Sequence, residues 1–347
     1  MSVVYVGMSG GVDSSLTAAL LKEQGHTVVG VYMKNWTKDL PGMKCPWAED
    51  LADAKRVAVQ LGIDFKVFDF ETEYKQKVVD YMIQEYRLGR TPNPDIMCNQ
   101  EVKFKLFLEA ALEDGADMIA TGHYARVEDG QLKMAEDSTK DQTYFLYRVT
   151  KAALEKTLFP LGEHKKSDVR TMAAERGLYT ATKKDSQGIC FVGQIGIREF
   201  LSEYVEQTAG PIIDTQTGLT LGQHDGAIFY TLGQRHGLDI GGGLPYYVVG
   251  KDMDKNEVCV TTNLNDSQLW QTTIRLGGVH WIDSPPEPGE YHVRVRHRGT
   301  LVKATISFED NNVRLDVTQP ERAVTAGQSI VIYDGPVCLG GGIVQPL

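Results

Sequence analysis

Cysteine is scarce and unpaired in this 347-residue chain: Cys45, Cys98, Cys190, Cys259 and Cys338 are five, widely spaced, with no C-x-x-C among them. That excludes both a secreted disulfide framework and a zinc ribbon, so any working cysteine works as a thiol. No apolar run approaches the roughly 18 residues of a membrane span, which removes the membrane from the expected partners. Met1 to Val6 carries no basic leader and no small-residue cleavage site; it reads as a first β-strand, and the expected location is the cytoplasm. Repeats of about 20 to 50 residues and low-complexity tracts are missing too. Positive charge is in deficit, 36 Lys+Arg against 46 Asp+Glu for a net −10, which excludes a protein that coats nucleic acid nonspecifically. The deficit is uneven. Residues 151–190 hold eight Lys/Arg against five Asp/Glu, enough for a polyanion to dock locally.

What is present is a change of texture along the chain. Residues 1 to about 125 alternate strand and helix. The expected elements are a strand at Val3–Val6, a helix through Leu16 to Leu20, a strand at Thr27–Met33, a helix at Glu49–Leu61 and a strand at Ile63–Phe70. Helices at Tyr74–Leu88 and Val102–Leu112 and a strand at Met118–Thr121 follow. Such alternation predicts an α/β, doubly wound parallel sheet whose ligand crevice lies at the carboxyl ends of its strands. From Gly210 onward Gly, Pro, Thr and Asp punctuate short β-like runs, at Ala227–Leu232, Tyr246–Val249, Val258–Thr261, Tyr291–Arg298, Leu301–Phe308, Val313–Val317 and Ser329–Tyr333. The expected division is a catalytic domain over 1–199, a small central domain over 200–263 and a C-terminal β-barrel over 264–347.

Neither G-x-x-x-x-G-K-[ST] nor G-x-G-x-x-G occurs, yet a glycine-rich turn, Gly7-Met8-Ser9-Gly10-Gly11-Val12-Asp13-Ser14, joins the first strand to the first helix. Backbone N–H groups and the positive helix end in such a turn hold phosphate. A carboxylate at Asp13 beside a polyphosphate implies a bridging Mg²⁺. The same residues also read as a plain turn with Asp13 or Ser14 as helix cap. Met33 and Gly122 fall at the carboxyl ends of two expected strands, where an adenosine would sit; Met33 alone reads as core. His123, at a strand end, reads as structural. Near the C-terminus, His292, Arg294, Arg296 and Arg298 alternate with Tyr291, Val293, Val295 and His297, which predicts a basic ladder on one strand face.

The turn resembles the PP-loop of ATP pyrophosphatases, enzymes that split ATP between the α and β phosphates and attach AMP to a carbonyl oxygen. Four further motifs extend the likeness: Asn93-Pro94-Asp95-Ile96-Met97-Cys98-Asn99, Ala120-Thr121-Gly122-His123-Tyr124-Ala125-Arg126, Lys140-Asp141-Gln142 and Asp185-Ser186-Gln187-Gly188-Ile189-Cys190-Phe191. With Cys338-Leu339-Gly340-Gly341-Gly342, they make the chain similar, from Val3 to its end, to the tRNA-specific 2-thiouridylase family. The resemblance implies ATP, with Mg²⁺ bound through the phosphates and no protein metal site, on Gly7 to Ser14, Met33 and Gly122. It implies a target base at Asn93, Pro94 and Asp95, and tRNA contacts at Lys140, Asp141, Gln142, Arg296 and His297. The resemblance assigns a persulfide to Cys190 and its catalytic partner to Cys98, with a disulfide between the two as one product; Asp95 reads either as a group that shuttles protons or holds the base, or as an Asx turn after Pro94. The implied partners are the anticodon loop of tRNA and a sulfur donor such as a cysteine desulfurase or sulfur relay protein. Cys98, set before a helix with Lys103 and Lys105 close in sequence, is expected in a loop that favours thiolate. Gln187 stands where the family pattern has threonine, and Gln194-Ile195-Gly196 where it has a charged segment. Two other readings remain: a different PP-loop adenylating enzyme, amidotransferase-linked or lysidine-forming, which would need no reactive cysteines, and a nucleotide-regulated tRNA-binding or sulfur-carrier protein, which would release no pyrophosphate.

Overall fold

Val4 and Val6 pack to one side of the first strand and Tyr5 to the other, and all three are buried, so this strand is covered on both faces as a parallel strand must be. The computed structural model describes residues 1–39, 45–184, 196–241 and 243–346. Its first sheet runs β1 (Val3–Gly7), β2 (Thr27–Lys34), β3 (Asp64–Asp69) and β4 (Met118–Ala120); after a hairpin of β5 (Arg126–Glu128) and β6 (Gln131–Lys133) comes β7 (Thr157–Leu158). The order is β3-β2-β1-β4-β7, with every pairing parallel. The strand order therefore reverses between β1 and β4, and the crevice beyond their carboxyl ends is the topological switch point. Helices α1 (Val12–Glu23) and α2 (Trp47–Leu61) cover the Val4/Val6 face, while helical stretches 71–87 and 94–113 cover the Tyr5 face.

The stretch 94–113 is longer than the expected Val102–Leu112. Pro94 occupies its first turn, where a missing N–H costs nothing, and the Asn93 side chain accepts from the N–H groups of Asp95 and Ile96 at 3.1 and 3.3 Å. Cys98 consequently lies inside a helix, not in a loop before one.

The central domain forms a four-stranded sheet from β8 (Gly210–Asp214), β9 (Thr220–His224), β10 (Tyr247–Asp252) and β11 (Glu257–Thr261), ordered β10-β11-β8-β9. The strand expected at Ala227–Leu232 is instead a single 3₁₀ turn at Ala227–Phe229 followed by loop. Six strands follow: β12 (Trp270–Trp281), β13 (Gly289–Arg294), β14 (Val302–Glu309), β15 (Asn312–Arg322), β16 (Ser329–Asp334) and β17 (Val337–Val344). They run antiparallel in the order β12-β15-β14-β13-β16-β17, and β12 pairs with β17 to close a barrel with no free edge.

The barrel and the catalytic domain share a core. On β16, period-two alternation sends Ile330 and Ile332 into the barrel, and Val331 and Tyr333 into the hydrophobic cluster of the catalytic domain. Hairpin strand β6 pairs with β17 at Lys133 and Val337. Tyr144 donates to the Ser329 carbonyl at 2.8 Å, and the Thr143 and Tyr333 hydroxyls lie 3.2 Å apart, both buried. Among the described residues no helix is long and apolar enough to cross a membrane.

Candidate functional site

The loop from Gly7 to Ser14 leaves β1 at the switch point and enters α1. Gly10 has φ +74°, a left-handed conformation, and a Cβ there would meet the Asp50 carbonyl oxygen at 2.4 Å, so glycine alone fits. Helix α1 opens on Gly11, which offers no side-chain cap to its first turn. Ser14 Oγ instead accepts from the Ser9 N–H at 3.2 Å and donates to the Gly11 carbonyl at 3.2 Å, holding the turn closed on itself. From the neighbouring strand, Gly122 lies flush against this turn: a Cβ would sit 2.9 Å from the Ser14 nitrogen and 3.0 Å from the Asp13 carbonyl carbon. Met33 reaches the same place from β2, its ε-methyl 3.0 Å from a Cβ built on Gly7. The glycine-rich loop, Met33 and Gly122 thus converge at the carboxyl ends of β1, β2 and β4. The cradle suits a nucleotide, with glycine backbone at a helix start that no side chain caps.

Asp13 does not stand alone as a metal-bridging carboxylate. Lys166 Nζ donates to both of its oxygens at 2.7 and 2.8 Å, and the Tyr124 hydroxyl donates to Oδ1 at 2.8 Å. A lysine ammonium thus stands beside Asp13 as well. Lys166 begins the helix Lys166–Glu175 and belongs to the basic 151–190 stretch, but nothing in its local sequence marks its partner, 153 residues away. A second lysine, Lys183, bridges Asp50 and Asp53 on α2 at 2.8 and 2.7 Å.

Cys98 is 1% exposed, one helical turn beyond Asp95. Asn99 donates to the Phe145 carbonyl at 3.0 Å, tying this helix to the segment after Lys140-Asp141-Gln142. Farther along, Phe104 contacts His123 with ring centroids 5.6 Å apart, and Phe107 lies against Gly7, so one helix connects Cys98 to the nucleotide loop. Lys105 does not face Cys98; its ammonium pairs with Glu101 at 3.5 Å, as does Lys77 at 3.1 Å. His123 is structural: Nδ1 lies 2.7 Å from the Thr121 hydroxyl, and burial, helped by the Lys103 charge, holds its pKa well below the ordinary imidazole value. Cys190, with Asp185 to Ile195, lies outside the described residues. Among those described, no two cysteines are joined; the expected Cys98–Cys190 disulfide involves a residue outside them.

The basic ladder expected over residues 291–298 does not exist. Strand β13 stops at Arg294, whose side chain is 7% exposed and pairs with Asp141 at 2.6 Å. The face opposite the barrel core is covered by the catalytic domain rather than by water. Asp141 is 3% exposed and also accepts from the Ala135 N–H and the Thr143 hydroxyl, so it points inward while Lys140 and Gln142 remain partly exposed. Arg296 is exposed; His297 stacks against Phe145 at 4.3 Å, and burial, with Arg298 and Arg294 nearby, pushes its pKa down to about 4. Between the 138–141 loop and the 294–299 turn lies a cavity of about 320 Å³ lined by Ser138, Thr139, Asp141, Arg294, Arg298 and Gly299. Arg294 Nε is buried there without a hydrogen-bond partner.

Three family models match in succession: the tRNA methyl transferase HUP domain over residues 2–194, the tRNA methyl transferase PRC-barrel domain over 198–262, and the aminomethyltransferase β-barrel domain over 271–344. The chain is 47% identical over 355 residues to the tRNA-specific 2-thiouridylase MnmA of Enterococcus faecalis, covering 99% of this chain and 95% of that protein. It is 48% identical over 353 residues to the protein of the same name from Chromobacterium violaceum, covering 99% and 92%. This chain belongs to the tRNA-specific 2-thiouridylase family. As a member of that family it uses its HUP domain for ATP, and the three-part architecture is the one expected from sequence. Tyr124 and Lys166, the two side chains that hold Asp13 in this thiouridylase-family chain, were not assigned from sequence, although Tyr124 lies within a quoted motif.

Proposed function

We propose that this protein is a tRNA-uridine 2-sulfurtransferase that converts the wobble uridine to 2-thiouridine. The observation that carries the reading is the convergence of the glycine-rich loop, Met33 and Gly122 at the switch point, with one helix running from there to Cys98. Gly7 to Ser14 would hold ATP, and Mg²⁺ bound with it would supply neutralisation of the phosphate charge. The C2 oxygen of uracil attacks the α-phosphorus and pyrophosphate leaves, which turns a poor leaving group into AMP. The terminal sulfur of a Cys190 persulfide attacks C2 and AMP departs. The Cys98 thiolate then attacks the Cys190 sulfur, breaking the S–S bond, leaving sulfur on C2 and a Cys98–Cys190 disulfide that an external thiol reduces.

The base is held at Asn93, Pro94 and Asp95, one turn before Cys98. A wobble base is unpaired, so moving it into this site costs only a few kcal/mol. The tRNA backbone lies along Lys140, Gln142, Arg296 and His297, where the cavity presents the unpartnered Nε–H of Arg294. A persulfide-carrying protein loads Cys190.

The test is mass spectrometry of nucleosides from unmodified tRNA incubated with the protein, ATP, Mg²⁺ and a persulfide donor, with AMP and pyrophosphate counted alongside. 2-Thiouridine forming in step with AMP, and lost in Cys190→Ser and Cys98→Ser, supports the reading. Full thiolation by a Cys98→Ser/Cys190→Ser double variant overturns the two-cysteine chemistry. Binding of ATP and tRNA without pyrophosphate release overturns the enzyme.

A further inference from the structure

Two hydrogen-bonded arms leave the 137–142 loop and meet on one carboxylate, that of Asp13. In the first, Gln142 and Tyr124 form a two-bond clamp: the Gln142 N–H donates to the Tyr124 carbonyl at 2.9 Å, and the Tyr124 N–H donates to Gln142 Oε1 at 2.8 Å. The Tyr124 hydroxyl then donates to Asp13 at 2.8 Å. In the second, Asp137 accepts from the Lys166 N–H at 3.0 Å, and the Lys166 ammonium grips both oxygens of Asp13. Between the roots of the arms sits Asp141, bonded at 2.6 Å to Arg294 of the barrel at the edge of the 320 Å³ cavity.

We infer that the 137–142 loop couples occupancy of the barrel-side cavity to the nucleotide loop, with Tyr124 as the positioning residue that carries the coupling to Asp13. Tyr124 is 3% exposed and has little freedom to absorb a shift of Gln142 locally. Two residues earlier, Gly122 lies against the Asp13 and Ser14 backbone, so a displacement of this segment is passed to the helix start. A phosphodiester in the cavity competes with Asp141 for the Arg294 guanidinium, which gives tRNA a differential contact with the loop. Asp13 lies within the Gly7–Ser14 turn, and its placement sets the local potential that a triphosphate meets. The two ligands thus act on one hydrogen-bonded element from opposite ends, which is what a coupling free energy requires.

This inference rests on the assignment of ATP to Gly7–Ser14 and of tRNA to the cavity side. The experiment measures the dissociation constant of a non-hydrolysable ATP analogue with Mg²⁺, on the full-length protein, with and without saturating unmodified tRNA, and reads the ratio. In the unaltered protein the ratio is expected to differ from one by about fivefold or more, and the analogue must change tRNA affinity by the same factor. Tyr124→Phe keeps the ring and removes the bond to Asp13; its ratio is expected to collapse to within about twofold of one, while each ligand alone still binds. A ratio of one in the unaltered protein, or an unchanged ratio in Tyr124→Phe, overturns the coupling while leaving the ATP and tRNA assignments intact. Failure of either ligand to bind the unaltered protein overturns the assignments and the coupling with them.

Discussion

Asp141 of the catalytic domain and Arg294 of the barrel meet at 2.6 Å, both more than nine-tenths buried, with the guanidinium also 5.3 Å from the centre of the Tyr333 ring. The pair fastens the domain carrying the glycine-rich loop to the barrel beside the candidate RNA cavity. Two charges removed from water are tolerated because each is the other's partner and because Asp141 accepts further hydrogen bonds from Ala135 and Thr143.

Breaking this pair on one side leaves a buried charge. Asp141→Ala is expected to cost about 3–5 kcal/mol, read as a lower midpoint in chemical denaturation. An Asp141→Leu/Arg294→Met double variant, which leaves no charge behind, should recover most of that loss; equal midpoints for the single variant and the unaltered protein would show that the pair carries no weight.

Lys166 neutralises the Asp13 carboxylate of the glycine-rich turn proposed to hold ATP. Lys166→Met is expected to raise KM for ATP by about tenfold, equivalent to 1.4 kcal/mol, because an uncompensated negative charge then faces the triphosphate. Adding Asp13→Asn to that variant should restore much of the affinity if neutralisation is the function of Lys166. Pyrophosphate-release kinetics on the unaltered protein and the two variants decide it.

His297 binds a proton less readily in the folded protein, with its pKa at about 4 against an ordinary 6.5, and so is uncharged there when the unfolded chain already begins to protonate. Its contribution to stability is therefore whole above about pH 6.5 and is lost as pH falls toward about 4. The melting temperature of His297→Phe should fall less steeply across that window than that of the unaltered protein. A parallel acid limb in the two proteins would assign the loss to other groups.

Gly122→Ala places a methyl 2.9 Å from the Ser14 nitrogen, against backbone that cannot swing aside. The variant is expected to fold, with a modest drop in melting temperature, and to lose ATP binding by tenfold or more because the helix start must shift. Unchanged affinity for an ATP analogue would remove Gly122 from the nucleotide site.

The sheet and its glycine-rich turn were legible in the chain itself, since Val3 to Gly7, Gly10 and the start of α1 obey rules that act over a few residues: alternating burial, a left-handed glycine, a helix opened at its N-terminus. The setting of Cys98 was not legible. Asn93 capping a helix that starts at Pro94 lengthened an element expected to begin near Val102, and it carried Cys98 from a loop into a buried turn. Likewise, alternation correctly separated Val293 and Val295 from Arg294 and Arg296, yet period two names only the face that is outside the barrel. Packing the catalytic domain against that face turned Arg294 from a surface cation into the buried partner of Asp141. Lys166 and Tyr124 came to Asp13 from 153 and 111 residues away. Local sequence determined the strands, the glycine-rich turn and the chemistry of each side chain; which charges neutralise one another, and which stay open to a ligand, was decided only when distant segments packed, because charge pairing depends on distance in space and not on separation along the chain.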